Sequence, residues 1–137
     1  MKLIHSLLLV VSVSIGFSSC QKNAGTGGNS TIKGTVLTEN YNALGTALLS
    51  KFNAQDEDVF IVYGGDDAYQ VPSAKVATGP DGSFEFKYLA KGKYKLIVYS
   101  KCFDPTTCPS GQEALIFPIE ITDKKSVIEV PQIIRKN

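Results

Sequence analysis

Residues 78–86 read Thr78-Gly79-Pro80-Asp81-Gly82-Ser83-Phe84-Glu85-Phe86, and the pattern continues through Leu89, Gly92, Tyr94 and Leu96. Pro80 presets φ and Gly82 tolerates φ above zero, so residues 79–82 form a strong turn. Beyond it Phe84, Phe86 and Tyr88 alternate with Ser83, Glu85 and Lys87. A period of two puts the rings on one face and the polar groups on the other, as in a half-buried strand. Residues 90–93, Ala-Lys-Gly-Lys, turn the chain again. Tyr94, Leu96 and Val98 then restart the alternation against Lys95, Ile97 and Tyr99.

The same reading extends in both directions. Ile32, Gly34 and Val36 alternate with Lys33, Thr35 and Leu37. Val59-Phe60-Ile61-Val62-Tyr63 is a short β-branched and aromatic run bounded by Asp58 and Gly64-Gly65, which suits a buried strand. Val71 to Thr78 makes a strand once past Pro72, and Leu115, Phe117, Ile119 and Ile121 make another. Val127 to Ile134 closes the domain, with Pro131 placing its end at a sheet edge. Tyr41 to Phe52 is the exception. Leu44, Ala47 and Leu48 fit helical spacing, yet Gly45 and the flanking asparagines favour an irregular loop. About seven strands at short spacing predict an all-β chain, an antiparallel β-sandwich.

The stretch 78–86 with Leu89, Gly92, Tyr94 and Leu96 resembles the carboxypeptidase regulatory-like domains, which belong with the transthyretin-like (prealbumin-like) sandwiches. Ile32-Lys33-Gly34-Thr35-Val36 matches their usual first strand, so the resemblance covers most of residues 31–101. It implies a prealbumin-like or Ig-like sandwich. Gly82 would make the hairpin, Phe84 and Phe86 would fill the core, and Leu89 would lie under the next turn. Gly92 would free that turn, and Tyr94 would pack with its hydroxyl near the sandwich end. Residues 56–64, Asp-Glu-Asp-Val-Phe-Ile-Val-Tyr-Gly, look like the Bacteroidetes lipoproteins that carry such a domain alone. The resemblance implies an accessory module and names no activity, because a fold does not fix function.

The N-terminus has its own signature. Met1-Lys2 is followed by Leu7-Leu8-Leu9-Val10-Val11, Val13, Ile15 and Phe17, then by Ser18-Ser19-Cys20. A charged start, a short apolar run and small residues before a cysteine describe a secretory signal. The run is short for a permanent span, which needs about 20 apolar residues. Ser18-Ser19-Cys20 resembles the lipobox cleaved by lipoprotein signal peptidase, although Phe17 stands where Leu is usual. The expectation is a lipoprotein signal peptide over 1–19, a lipid on Cys20, a flexible tether over 20–30 and a sandwich domain over 31–137. An ordinary secretory signal with an incidental Cys20 is the alternative. Gln21 in place of Asp points to an outer-membrane lipoprotein, its periplasmic or surface face left open. Residues 21–30 hold no apolar side chain larger than alanine, the composition of a tether.

Composition narrows the function classes. Removing 19 of the 137 residues leaves 118, the size of one domain. Lys2 leaves with them, so 13 Lys plus Arg balance 13 Asp plus Glu. A neutral exported chain with no basic stripe is a poor partner for nucleic acid. His5, the only histidine, lies in the signal segment. Without it the chain lacks the commonest general base and metal ligand, which removes Ser–His, Cys–His and zinc-protease chemistry. The expectation is a non-enzymatic protein with no cofactor and no metal.

Three sets of residues are candidate sites. Cys102 and Cys108 bracket a five-residue segment with Pro105. In an oxidising compartment they suit a disulfide better than a redox or zinc site, whose spacings differ. Asp56, Glu57 and Asp58 with Asp66 and Asp67 could offer oxygens to calcium, but solvated loop charge accounts for them more simply. Six tyrosines are present with no tryptophan. Most alternate on strands, whereas Tyr41 and Tyr69 sit in loops where they could contact a sugar or a protein. The partners expected are therefore the membrane, through Cys20, and an outer-membrane protein or a glycan. A purely architectural envelope role is the remaining alternative.

Overall fold

The computed structural model describes residues 23–64 and 71–137. Nine strands run through them: β1 (Thr26–Tyr41), β2 (Leu48–Asn53), β3 (Asp58–Tyr63), β4 (Ala74–Ala77), β5 (Ser83–Leu89), β6 (Gly92–Lys101), β7 (Gln112–Ile121), β8 (Val127–Glu129) and β9 (Ile133–Lys136). They form two sheets, with no helix among the described residues. The first is built on β1, whose 16 residues reach about 50 Å at the usual rise per residue. One flank of β1 carries β5 and then β2, both antiparallel, and the other carries β8 and then β9, both parallel. Val36 marks the first junction: it donates to Gly82 O and accepts from Ala54 N–H. The second sheet runs β4-β3-β6-β7, antiparallel throughout.

The core lies between the two sheets. Ile32 and Val36 of β1, Phe84 and Phe86 of β5 and Ile133 of β9 meet Val59 and Ile61 of β3, Tyr94, Leu96 and Val98 of β6, and Ile121 of β7. Each such side chain contributes about 1.5–3 kcal/mol by leaving water. The turn before β5 forms as its residues dictate. Gly82 takes φ +76° and donates to Gly79 O, and Asp81 Oδ1 accepts from the Ser83 hydroxyl at 2.6 Å and its N–H at 3.0 Å. The Ser83 hydroxyl, helped by that N–H, holds the Asp81 carboxyl below the usual carboxylate range.

The sandwich departs from the sequence expectation at five places. The described residues hold nine strands, and β8 and β9 pair in parallel with β1, so the first sheet is mixed. Residues 127–134 are not one strand, because the chain leaves the ladder between Glu129 and Ile133, around Pro131. Tyr88 does not follow Phe84 and Phe86 inward. Its φ of +59° rotates the strand end, leaving Tyr88 exposed and Leu89 buried. Residues 48–53 are a strand instead of an irregular loop.

The fifth departure concerns the expected tether, since Thr26–Ser30 already belong to β1. These residues bury no large side chain; backbone contacts order them, together with the buried Ser30 hydroxyl, which donates to Asp123 O and accepts from Ser126 N–H, each at 3.2 Å. Gly25 O accepts from Ala90 N–H, and Gly25 N–H donates to the Tyr94 hydroxyl at 3.0 Å. Gly28 lies so close to Leu89 that a Cβ would sit 1.9 Å from its carbonyl oxygen. The signal segment 1–19 and Cys20 lie outside the described residues.

Candidate functional site

The β1–β2 loop, residues 42–47, meets the β6–β7 loop, residues 102–111, at one pole of the sandwich. Asn42 organises the first. Its N–H donates to Ala47 O at 3.0 Å, and its side-chain oxygen accepts from the Thr46 and Ala47 N–H groups at 2.8 and 3.2 Å. Gly45 takes φ +68°, and a Cβ there would lie 2.4 Å from Cγ of the Phe103 ring. Only glycine meets both demands.

The Cys102–Cys108 disulfide closes the second loop, with Cα atoms 6.2 Å apart, within the usual range. Cys102 N–H donates to Gly111 O, and Cys108 N–H to Asp104 O. Asp104 Oδ1 accepts from the Thr106 hydroxyl at 2.6 Å and its N–H at 2.9 Å. These bonds, the hydroxyl's first, hold its carboxyl below the usual range. The staple thus shapes the loop that carries Phe103 to Gly45.

Phe103 also stands edge-on to Tyr41, with ring centroids 5.9 Å apart, and Lys101 Nζ lies 5.1 Å from the centre of its ring. The latter is a cation–π contact. The Tyr41 hydroxyl donates to Glu39 Oε2 at 3.0 Å, and Lys51 Nζ sits 2.6 Å from Glu39 Oε1. The Lys51 hydrogen bond first, then that of Tyr41, lowers the Glu39 pKa. The same contacts with Glu39 raise the pKa of Lys51 and of Tyr41. Near neutral pH the group is an ion pair topped by a protonated phenol.

Around this frame Leu44 is 78 % exposed, Leu49 64 % and Leu48 43 %. A single exposed leucine is ordinary; here three occur within six residues of one hairpin, whose loop rests on the Phe103 ring at Gly45. This pole presents apolar side chains, ring edges and one neutralised ion pair.

Of the residues singled out by sequence, Tyr41 lies in this pole, half-buried, and Cys102 and Cys108 form the disulfide that shapes it. Tyr69, Asp66 and Asp67 lie outside the described residues. Glu57 pairs with Arg135, whose Nε also donates to Tyr99 O, and Asp58 pairs with Lys75 at 2.6 Å. Among the described residues no three His, Cys, Asp or Glu side chains gather as a metal site. The sequence reading did not single out Leu44, Leu49 or Phe103. The only signal for the first two was a leucine-rich stretch among turn-forming asparagines and glycine. For Phe103 there was none, since Tyr41 and Gly45, which it meets, lie about 60 residues away.

The chain matches no protein-family model and no curated protein. Among solved structures it is similar to a candidate carbohydrate binding protein from Pseudomonas aeruginosa, at 11% identity and a TM-score of 0.44, over 83% of this chain and 92% of that one. It is also similar to a 9R-lipoxygenase from Cyanothece (16% identity, TM-score 0.38, 79% of this chain and 16% of that one). A third is an (S)-allantoin synthase (12% identity, TM-score 0.39, 77% and 42%). At this level the likenesses say nothing about ligand or activity.

Proposed function

We propose that this chain is a membrane-anchored, non-enzymatic interaction module of the bacterial outer envelope that docks a protein partner through its β1–β2 hairpin. The observation that carries the reading is the exposed trio Leu44, Leu48 and Leu49, set on a hairpin that Phe103 and Gly45 lock in place. Removing such side chains from water would favour association, and the aromatic backing supplies rigidity without a large entropy cost. The signal-like start and Cys20 supply the anchor in this reading, and the carboxypeptidase regulatory-like resemblance supports an accessory role. β1 enters at the opposite end of its long strand, so anchor and docking surface would not compete. The test is capture of crosslinked partners from intact cells with the full chain, comparing Leu44→Asp/Leu49→Asp with the unaltered protein. Loss of one specific envelope protein from the variant is expected. Equal capture by both would overturn the reading.

A second reading places a glycan at the same pole, favoured by the half-buried Tyr41 ring beside the Asn42 and Glu39 polar groups. It expects a saturable, glycan-dependent rise in melting temperature that Tyr41→Ala abolishes while Leu44→Asp does not. A glycan panel that leaves the melting temperature unmoved would remove it.

A further inference from the structure

At the pole opposite the hairpin, the ends of the two sheets bound an open groove of about 1200 Å³. The β5–β6 turn brings Lys91 to it and the β7–β8 turn brings Lys124. Asn23 and Ala24, the first described residues, line it too. The chain therefore enters the sandwich through this groove.

The cations here differ from those elsewhere on the surface. Lys33, Lys51, Lys75 and Lys87 each have a carboxylate partner, whereas Lys91, Lys124 and Lys125 form no ion pair among the described residues. Two carboxylates share the pole. Glu120 stands opposite Lys93 in the β6–β7 register, and Asp123 lies in the β7–β8 turn with the Thr122 hydroxyl 3.4 Å from its Oδ2. Among the described residues, Lys91, Lys93, Lys124 and Lys125 thus outnumber Glu120 and Asp123. Tyr88 adds a ring to the same end. It precedes Leu89, which lines the groove, and its φ of +59° leaves it 70 % exposed. Lysines interspersed with an exposed tyrosine suit the level of lipid headgroups, where ammonium groups meet phosphate and a phenol ring is half wet.

We infer that this pole docks on the anionic headgroups of the membrane that holds the chain, with Lys91, Lys124 and Lys125 against lipid phosphates and Tyr88 at the same depth. The inference rests on the lipid anchor at Cys20 proposed above and is independent of the hairpin's partner. Chain length and charge together select this occupant. Asn23 is three residues from Cys20, and three residues span at most about 10 Å, so an acylated Cys20 brings the groove to the headgroup layer. The lysines come from two separate turns around an open mouth, which suits a surface carrying many phosphates. Each lysine near an anionic surface strengthens the contact about fivefold, within roughly a Debye length. Docking in this way stands β1 off the bilayer and holds the hairpin at its far end.

The test uses the full-length lipidated chain in vesicles that carry a headgroup-level spin quencher. An environment-sensitive dye is placed by maleimide at Asn29→Cys, in the groove, or at Leu44→Cys, on the hairpin. Vesicles of phosphatidylethanolamine with phosphatidylglycerol are compared with vesicles of phosphatidylcholine alone. Quenching at Asn29→Cys is expected to be about fivefold or more stronger on the anionic vesicles, and Leu44→Cys is expected to stay unquenched on both. Adding Lys91→Glu, Lys124→Glu and Lys125→Glu together should erase the difference while the variant still floats with the vesicles. Raising the salt on the unaltered lysines should do the same. Equal quenching of Asn29→Cys on both vesicle types, or quenching that survives the triple reversal, would overturn the inference and leave the anchor standing. A chain that fails to float with phosphatidylcholine vesicles, its Cys20 thiol open to maleimide, would overturn the anchor and this inference with it.

Discussion

Replacing Tyr94 by Phe removes one oxygen from a buried site and nothing else. That hydroxyl donates to Ala90 O at 2.6 Å and accepts from Gly25 N–H at 3.0 Å. It thereby ties the start of β1 to the β5–β6 turn across 69 residues of sequence. Tyr94 is 1 % exposed and Ala90 5 %, so the orphaned carbonyl has little access to water, whereas Gly25 is only half-buried. A buried unsatisfied group costs about 1–3 kcal/mol; one full and one partial loss give about 2 kcal/mol. For a domain of this size that lowers Tm by roughly 6–10 °C. Urea unfolding at neutral pH checks the magnitude, and hydrogen exchange at the Ala90 amide, which donates to Gly25 O, checks the location. Burial, the largest cause, also raises the Tyr94 pKa above its ordinary value. The folded state therefore holds that proton more tightly than the unfolded chain. Its contribution is complete below about pH 10 and is lost as pH rises beyond it. The Phe variant should lack that alkaline component. A Tyr94→Phe protein within about 0.5 kcal/mol of the parent, with unchanged Ala90 exchange, would refute the clamp.

Three other perturbations test separate links. Reducing Cys102–Cys108, or replacing both by Ser, frees a loop of about seven residues and should cost about 2 kcal/mol by chain entropy; calorimetry with and without reductant measures it. Gly45→Ala meets both the positive φ and the Phe103 ring, so about 1–3 kcal/mol should be lost, together with proteolytic protection of the hairpin. Pro118→Val restores the outward N–H of the β7 edge and should raise the aggregation rate in light scattering with little change in Tm.

Much of the sandwich is legible because its strands are amphipathic. Phe84/Phe86, Tyr94/Leu96/Val98 and Leu115/Phe117/Ile119 each show the period-two pattern that burial on one face imposes. What escapes the sequence escapes for physical reasons. β2 has exposed residues on both faces, so no alternation marks it. Gly25–Ser30 are ordered by contacts to Leu89, to the Ala90 backbone and to the Tyr94 hydroxyl, which composition does not display. Tyr88 leaves the pattern through the sign of one φ angle. β8 and β9 reach β1 across about 95 residues, and no local signal encodes a parallel pairing of that range. The site divides in the same way. The cysteine spacing and the loop position of Tyr41 can be read directly. The meeting of Tyr41 and Gly45 with Phe103 depends on how the two sheets stack.

The docking claim is tested most directly by placing a photoreactive benzoyl-phenylalanine at Leu44 in the full chain and irradiating intact cells, with Val127, also exposed, as the comparison position. β8 pairs with the early part of β1, so Val127 samples the sandwich far from the hairpin. The account predicts a discrete heterologous adduct from Leu44 that Leu49→Asp suppresses, and none of the same mass from Val127. The same adduct from both positions, or only lipid and self adducts from Leu44, would contradict it.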